Sequence, residues 1–127
     1  MTSILVEIPG TPVPKARPRF GNGRAYTPRK TRAWEHQIGW YAKLAMGGLP
    51  PILGPVSVTI TAYLPIPKAL KVVNSRHVKK PDLDNLTKAA LDSCNGIVWA
   101  DDSQVYHIVA SKVYDDKPRL CIYVTAG

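Results

Sequence analysis

Between Lys80 and Gln104 the chain reads KPDLDNLTKAALDSCNGIVWADDSQ, a stretch that holds Asp82, Asp84, Asp92, Asp101 and Asp102, five of the nine carboxylates in the sequence. Oxygen donors at this density suit a hard cation. Mg²⁺ takes an octahedron of oxygens and usually keeps several waters, so two or three carboxylates and a substrate phosphate complete its shell. Asp82, Asp84 and Asp102 supply that number, with Mn²⁺ as a possible substitute ion. Lys88, four residues after Asp84, adds a cation that can stabilise charge developing on a phosphoryl group. The chemistry this points to is metal-assisted phosphodiester hydrolysis.

Taken one at a time, the same residues have plainer readings. Asp82 follows Pro81 and stands where a helix cap belongs, Asp101-Asp102 reads as a turn, and a lone Lys88 is a solvated charge. Asp92 reads as structural or surface. A calcium loop is excluded, because Leu86 falls where an oxygen ligand is needed and Thr87 where glycine is. No Gly-Lys-Ser/Thr phosphate loop occurs, so no nucleotide cofactor is expected.

The elements that must position these residues can be read from periodicity. Ser3 to Ile8 alternates as a first strand, with Ile4, Val6 and Ile8 on one face. Residues 9–28, PGTPVPKARPRFGNGRAYTP, are dense in proline, glycine and cations, and read as an arm with no regular element. Thr27 is the expected cap, and Pro28 the first residue, of a helix running to about Met46, with Trp34, Ile38, Tyr41 and Ala45 as its apolar stripe. Val56 to Leu64 is the clearest strand. Residues 65–81 form a long basic loop, of the length usually reserved for function.

A second helix runs from Leu83 to about Cys94 and closes at Asn95-Gly96; Leu83, Leu86, Ala90 and Cys94 make its buried stripe, with Asp84 and Lys88 together on another face. Val105 to Tyr114 and Leu120 to Thr125 alternate again and read as an antiparallel hairpin. The expected fold is a single α+β domain over residues 1–127, in the order β-α-β-α-β-β, with both helices packed against a mixed sheet.

Charge is segregated along the chain. Residues 1–81 carry 13 lysines and arginines against Glu7 and Glu35, residues 82–127 carry four against seven acids, and the net charge is +8. A basic arm beside an acidic focus suits an enzyme acting on a polyanion. Within the arm and the loop, Lys15, Arg17, Arg19, Arg24, Arg76, Lys79 and Lys80 can meet phosphates, and Phe20 can stack on or wedge between bases. Cys94 and Cys121 lack metal-ligand spacing and read as reduced core residues. No export signal or membrane span is visible, so the expected compartment is the cytoplasm of a bacterial or phage-infected cell.

In this stretch the sequence resembles the RusA-type Holliday-junction resolvases. The likeness rests on Asp82, Asp84, Asn85, Leu86 and Lys88, then Trp99, Asp101, Asp102, Gln104 and Val105; a weaker likeness covers PVPKARPRF and YTP in the arm. The resemblance implies that Asp82, Asp84 and Asp102 bind a catalytic Mg²⁺ and that Lys88 is essential to cutting, with Asp101 and Asn85 as accessories. It also implies a homodimer that cuts two opposed strands of a four-way DNA junction. Two other readings stay open: a nucleic-acid-binding accessory protein without activity, and a less selective flap or branched-DNA nuclease.

Overall fold

A computed structural model describes residues 2–16, 19–68 and 76–127; the side chain of Arg19 lies outside it. The first strand, β1 (Ser3–Pro9), is followed by β2 (Arg19–Gly21), β3 (Arg24–Tyr26), helix α1 (Arg29–Met46) and strand β4 (Val56–Pro65). Helix α2 (Leu83–Cys94), a 3-10 turn (Asp102–Gln104), β5 (Val105–Asp115) and β6 (Arg119–Ala126) complete the chain. The architecture is α+β, with two helices, a mixed four-stranded sheet and a small two-stranded sheet. Among the described residues no helix is long and apolar enough to cross a membrane.

The alternation in the sequence fixes which side of the sheet is covered. Ile4, Val6 and Ile8 of β1, Val56 to Leu64 at every second position of β4, and Leu120, Ile122 and Val124 of β6 are all buried, forming one core with Trp34, Ile38 and Ala42 of α1 and Leu86, Ala89 and Ala90 of α2. Register builds this core in rows: Ile60 stands opposite Ile122 on one side and Ala110 on the other, and Ile122 in turn stands opposite Val6. The opposite sheet face keeps Leu5, Val109 and Tyr123 exposed.

Three expectations are corrected. The last two strands do not form a hairpin: the sheet order is β1-β6-β4-β5, with β4 and β5 parallel and β6 antiparallel to both β1 and β4. Two parallel neighbours need a crossover, which α2 supplies, and that places β5 at the edge. Burial explains the choice, because β6 buries three large side chains and takes the interior slot, whereas Tyr106, Ile108 and Val109 leave β5 largely exposed.

The arm is not without elements. Arg19–Gly21 and Arg24–Tyr26 pair as a hairpin around Asn22-Gly23, whose φ angles of 53° and 73° are both left-handed. Asn-Gly is the dipeptide that tolerates this two-residue turn, and its twist matches that of the flanking strands. The cap of α1 also differs. Pro28 itself is the N-cap with extended ψ of 144°, no side chain caps it, and the helix starts at Arg29. The C-terminal end follows expectation, with Gly47 in the left-handed conformation donating to Leu44 and Lys43.

Candidate functional site

Helix α2 begins one residue after the corner that carries Asp82. The backbone carbonyl of Asp82 accepts from Leu86, but its side chain caps nothing; instead Oδ2 stands 3.2 Å from Nζ of Lys80. The carboxylate is therefore free of a structural task, apart from an exposed ion pair of little energetic weight. Two positions on, Asp84 accepts from the Asn85 amide at 2.9 Å, and Lys88 follows it on the same face one turn later. That face forms one wall of a cleft of about 520 Å³ between α2 and the edge strand β5, floored by Leu83, Leu91, Val105, Ile108 and Ala110.

Asp102 enters the cleft from the other side, and the run that delivers it is built around Trp99. After α2, Gly96 takes φ of 81° and its amide donates to the Trp99 carbonyl, while Ile52 accepts from the Ala100 amide and donates to the Val98 carbonyl in the segment before β4. Trp99 is fully buried, and its indole Nε1 donates to Oδ1 of Asp102 at 2.7 Å. A buried indole needs a partner for its N–H, and here that need aims a carboxylate.

The neighbouring acid has a different task. Asp101 Oδ2 accepts from the Ser103 amide, while the Asp101 amide donates to Gln104 Oε1, a reciprocal cap on the 3-10 turn. Hydrogen bonds from Ser103 hold the Asp101 carboxyl below its usual range. Gln104 also donates to the carbonyls of Ile52 at 2.7 Å and Gly54 at 2.8 Å, tying the turn to the entry of β4.

Asp84, Lys88 and Asp102 thus share one cleft, and Asp92, read from sequence as structural or surface, also lines it. Asp82 and Asn85 face a second groove of about 470 Å³ with Lys15, Lys30 and Lys80. Among the described residues no three His, Cys, Asp or Glu side chains stand together as a preformed ion cage. Asp82 pairs with Lys80, while Asp102 accepts from Trp99. Asp84 and Asp102 on one cleft are oxygen donors of the type a hard cation takes.

A family model described as endodeoxyribonuclease RusA matches residues 9–125. The chain belongs to the RusA endodeoxyribonuclease family. It is also 32% identical, over 142 aligned positions covering 98% of this chain and 96% of the relative, to the uncharacterized protein YqaN of Bacillus subtilis strain 168.

For a RusA-family chain, the exposed cations and Phe20 gain meaning. Phe20 on β2 is 81% exposed, Arg24 on β3 is exposed, and Arg76, Lys79 and Lys80 are exposed before α2. Arg17 and the Arg19 side chain lie outside the described residues. Lys15, expected to meet phosphate, is instead 2.7 Å from Glu35 and 3.3 Å from Asp92. Partial burial pushes its ammonium pKa down, but the hydrogen bonds and charges of Glu35 and Asp92 outweigh this and hold it above the ordinary value.

Lys112 has no counterpart among the expectations. From β5 its Nζ donates to the carbonyls of Lys79 at 2.6 Å and Pro81 at 2.9 Å, pinning the corner that presents Asp82. Nothing in a lone lysine on an edge strand signals this. His77 packs 4.7 Å from the Tyr114 ring, buried and with no partner for Nδ1 among the described residues, and burial together with Lys112 and Lys79 lowers its pKa. Both cysteines are free, and burial pushes the Cys94 thiol up to about 12, so it stays protonated at neutral pH.

Proposed function

We propose that this chain is a Mg²⁺-dependent endonuclease that resolves four-way DNA junctions, working as a homodimer in the cytoplasm. The observation that carries the reading is the convergence of Asp84, Lys88 and Asp102 on one cleft, with Asp102 aimed by Trp99. Asp84 and Asp102, joined by Asp82 from the adjoining helix corner, would hold the cation. When bound, such an ion makes water a nucleophile at neutral pH and offsets phosphate charge. Lys88 would steady the charge that builds on the phosphoryl oxygens as the bond to the leaving oxygen breaks. Products with a 5′-phosphate and a 3′-hydroxyl can be religated.

Two symmetry-related scissile phosphates call for two related sites, which is the physical basis for the homodimer. Family membership supports endodeoxyribonuclease action; the exposed Arg24, Arg76, Lys79 and Lys80 support a polyanionic substrate. The test is cleavage of a synthetic four-way junction, expected with Mg²⁺ and absent with EDTA. Asp84→Asn should bind the junction as the unaltered protein does while losing about 10²-fold or more in cutting, the scale of removing one group that stabilises transition-state charge. Normal cutting by Asp84→Asn would reject the site. Junction, flap and linear duplex compared at one salt concentration separate the resolvase from a less selective branched-DNA nuclease.

A further inference from the structure

The arm is fastened to the two helices before it reaches its hairpin. Pro12 is buried and Val13 packs on the core, Gln37 Nε2 donates to the Pro9 carbonyl at 2.9 Å, and the Lys15 amide donates to the carbonyl of Asn85 at 2.8 Å. That last bond grips the first turn of α2 one residue past Asp84. The Lys15 ammonium then spans the helices, 2.7 Å from Glu35 on α1 and 3.3 Å from Asp92 on α2.

This cluster is poorly suited to holding phosphate. One cation between two carboxylates leaves a net negative charge, and a further anion would have to displace one of them. Lys15 and Glu35 are also largely covered, at 24% and 18% exposure, while Asp92 keeps 37%. What it is suited to is geometry. Asp92 lines the same cleft as Asp84, Lys88 and Asp102, so the clamp ends at the wall of the site. Phe20 lies five residues past Lys15, so its backbone can stand no more than about 17 Å away.

We propose that Lys15 is a positioning residue that clamps residues 12–16 of the arm to α1 and α2 through Glu35 and Asp92, and so anchors, at the wall of the α2 cleft, the segment from which the exposed β2–β3 hairpin departs. The proposal rests on the branched-DNA reading above. It assigns Asp92 a role as scaffold, and removes Lys15 from the phosphate-contacting cations.

Two variants test it: Lys15→Met, and Glu35→Gln with Asp92→Asn, which keeps the lysine but removes its partners. Both should raise amide exchange over residues 11–16 by about tenfold, because local opening sets that rate. Both should lower kcat on the four-way junction by about tenfold, as a mispositioned group does, while the slope of log affinity against log salt stays unchanged. Lys15→Arg, which can still bridge both acids, should restore exchange and cutting. The clamp is overturned if Lys15→Met lowers the salt slope by about one while the Glu35→Gln, Asp92→Asn protein cuts normally, the signature of a phosphate contact. Should the unaltered protein cut no branched DNA, the nuclease reading fails by itself. Amide exchange, which needs no substrate, then still decides whether the clamp exists.

Discussion

Trp99 would bear on the proposed reaction only through Asp102. Its ring is fully buried, and its single polar atom is committed to Asp102. Partners that orient a ligand in this way typically change metal affinity or activity by about 10–100-fold when removed. Trp99→Phe keeps most of the buried ring and deletes the donor. It should cut junctions about tenfold more slowly at limiting Mg²⁺ and regain part of that loss as Mg²⁺ is raised, read from a metal titration of the cleavage rate. Equal rates at every Mg²⁺ concentration would show that the Asp102 carboxylate needs no such support. Residue types and spacing made the acids of this site visible in the sequence. They favoured Asp102 over Asp101 without a physical reason for the choice, because the two are adjacent and both closely follow Trp99. The separation lies in which oxygen meets the indole and which meets the Ser103 amide, a choice made only when the turn is folded.

The elements were legible wherever one periodicity spoke alone, as in α1, α2, β1 and β4. Connectivity was not, because β5 and β6 carry the short spacing of a hairpin and yet stand on opposite sides of β4. What decides between the two is burial on the covered face, which belongs to the sheet and not to either strand. The β2–β3 hairpin was missed for another reason: its Asn22-Gly23 turn was hidden in a run of proline, glycine and arginine that also fits a loop. This turn offers a clean perturbation. Gly23 has φ of 73° and nothing within 4 Å of where a Cβ would stand, so a side chain there meets backbone strain and no clash. Gly23→Val should weaken junction binding while leaving the unfolding midpoint of the body unchanged, because the described side chains of the hairpin, residues 20–26, are exposed. Binding at the unaltered strength would remove the hairpin from the DNA interface.

Across the whole molecule, positive charge and carboxylates are separated in sequence and brought side by side by the fold. The first 81 residues carry 13 of the 17 cations, and the exposed Lys79 and Lys80 lead directly into the helix that bears Asp82 and Asp84. Such a layout gives two dependences on salt that can be taken apart. Monovalent ions compete with cations bound to phosphates, so log affinity for a junction should fall linearly with log salt even in EDTA. Replacing Arg24, Arg76, Lys79 or Lys80 with alanine should reduce that slope by about one wherever the native side chain neutralises a phosphate. Asp84→Asn should leave the slope alone, since on the proposed reading its carboxylate would meet the metal and not the DNA counterion atmosphere. A slope insensitive to all four cationic positions would move the DNA to another face, and with it the reason for reading the basic half of the chain as the partner of the acidic cleft.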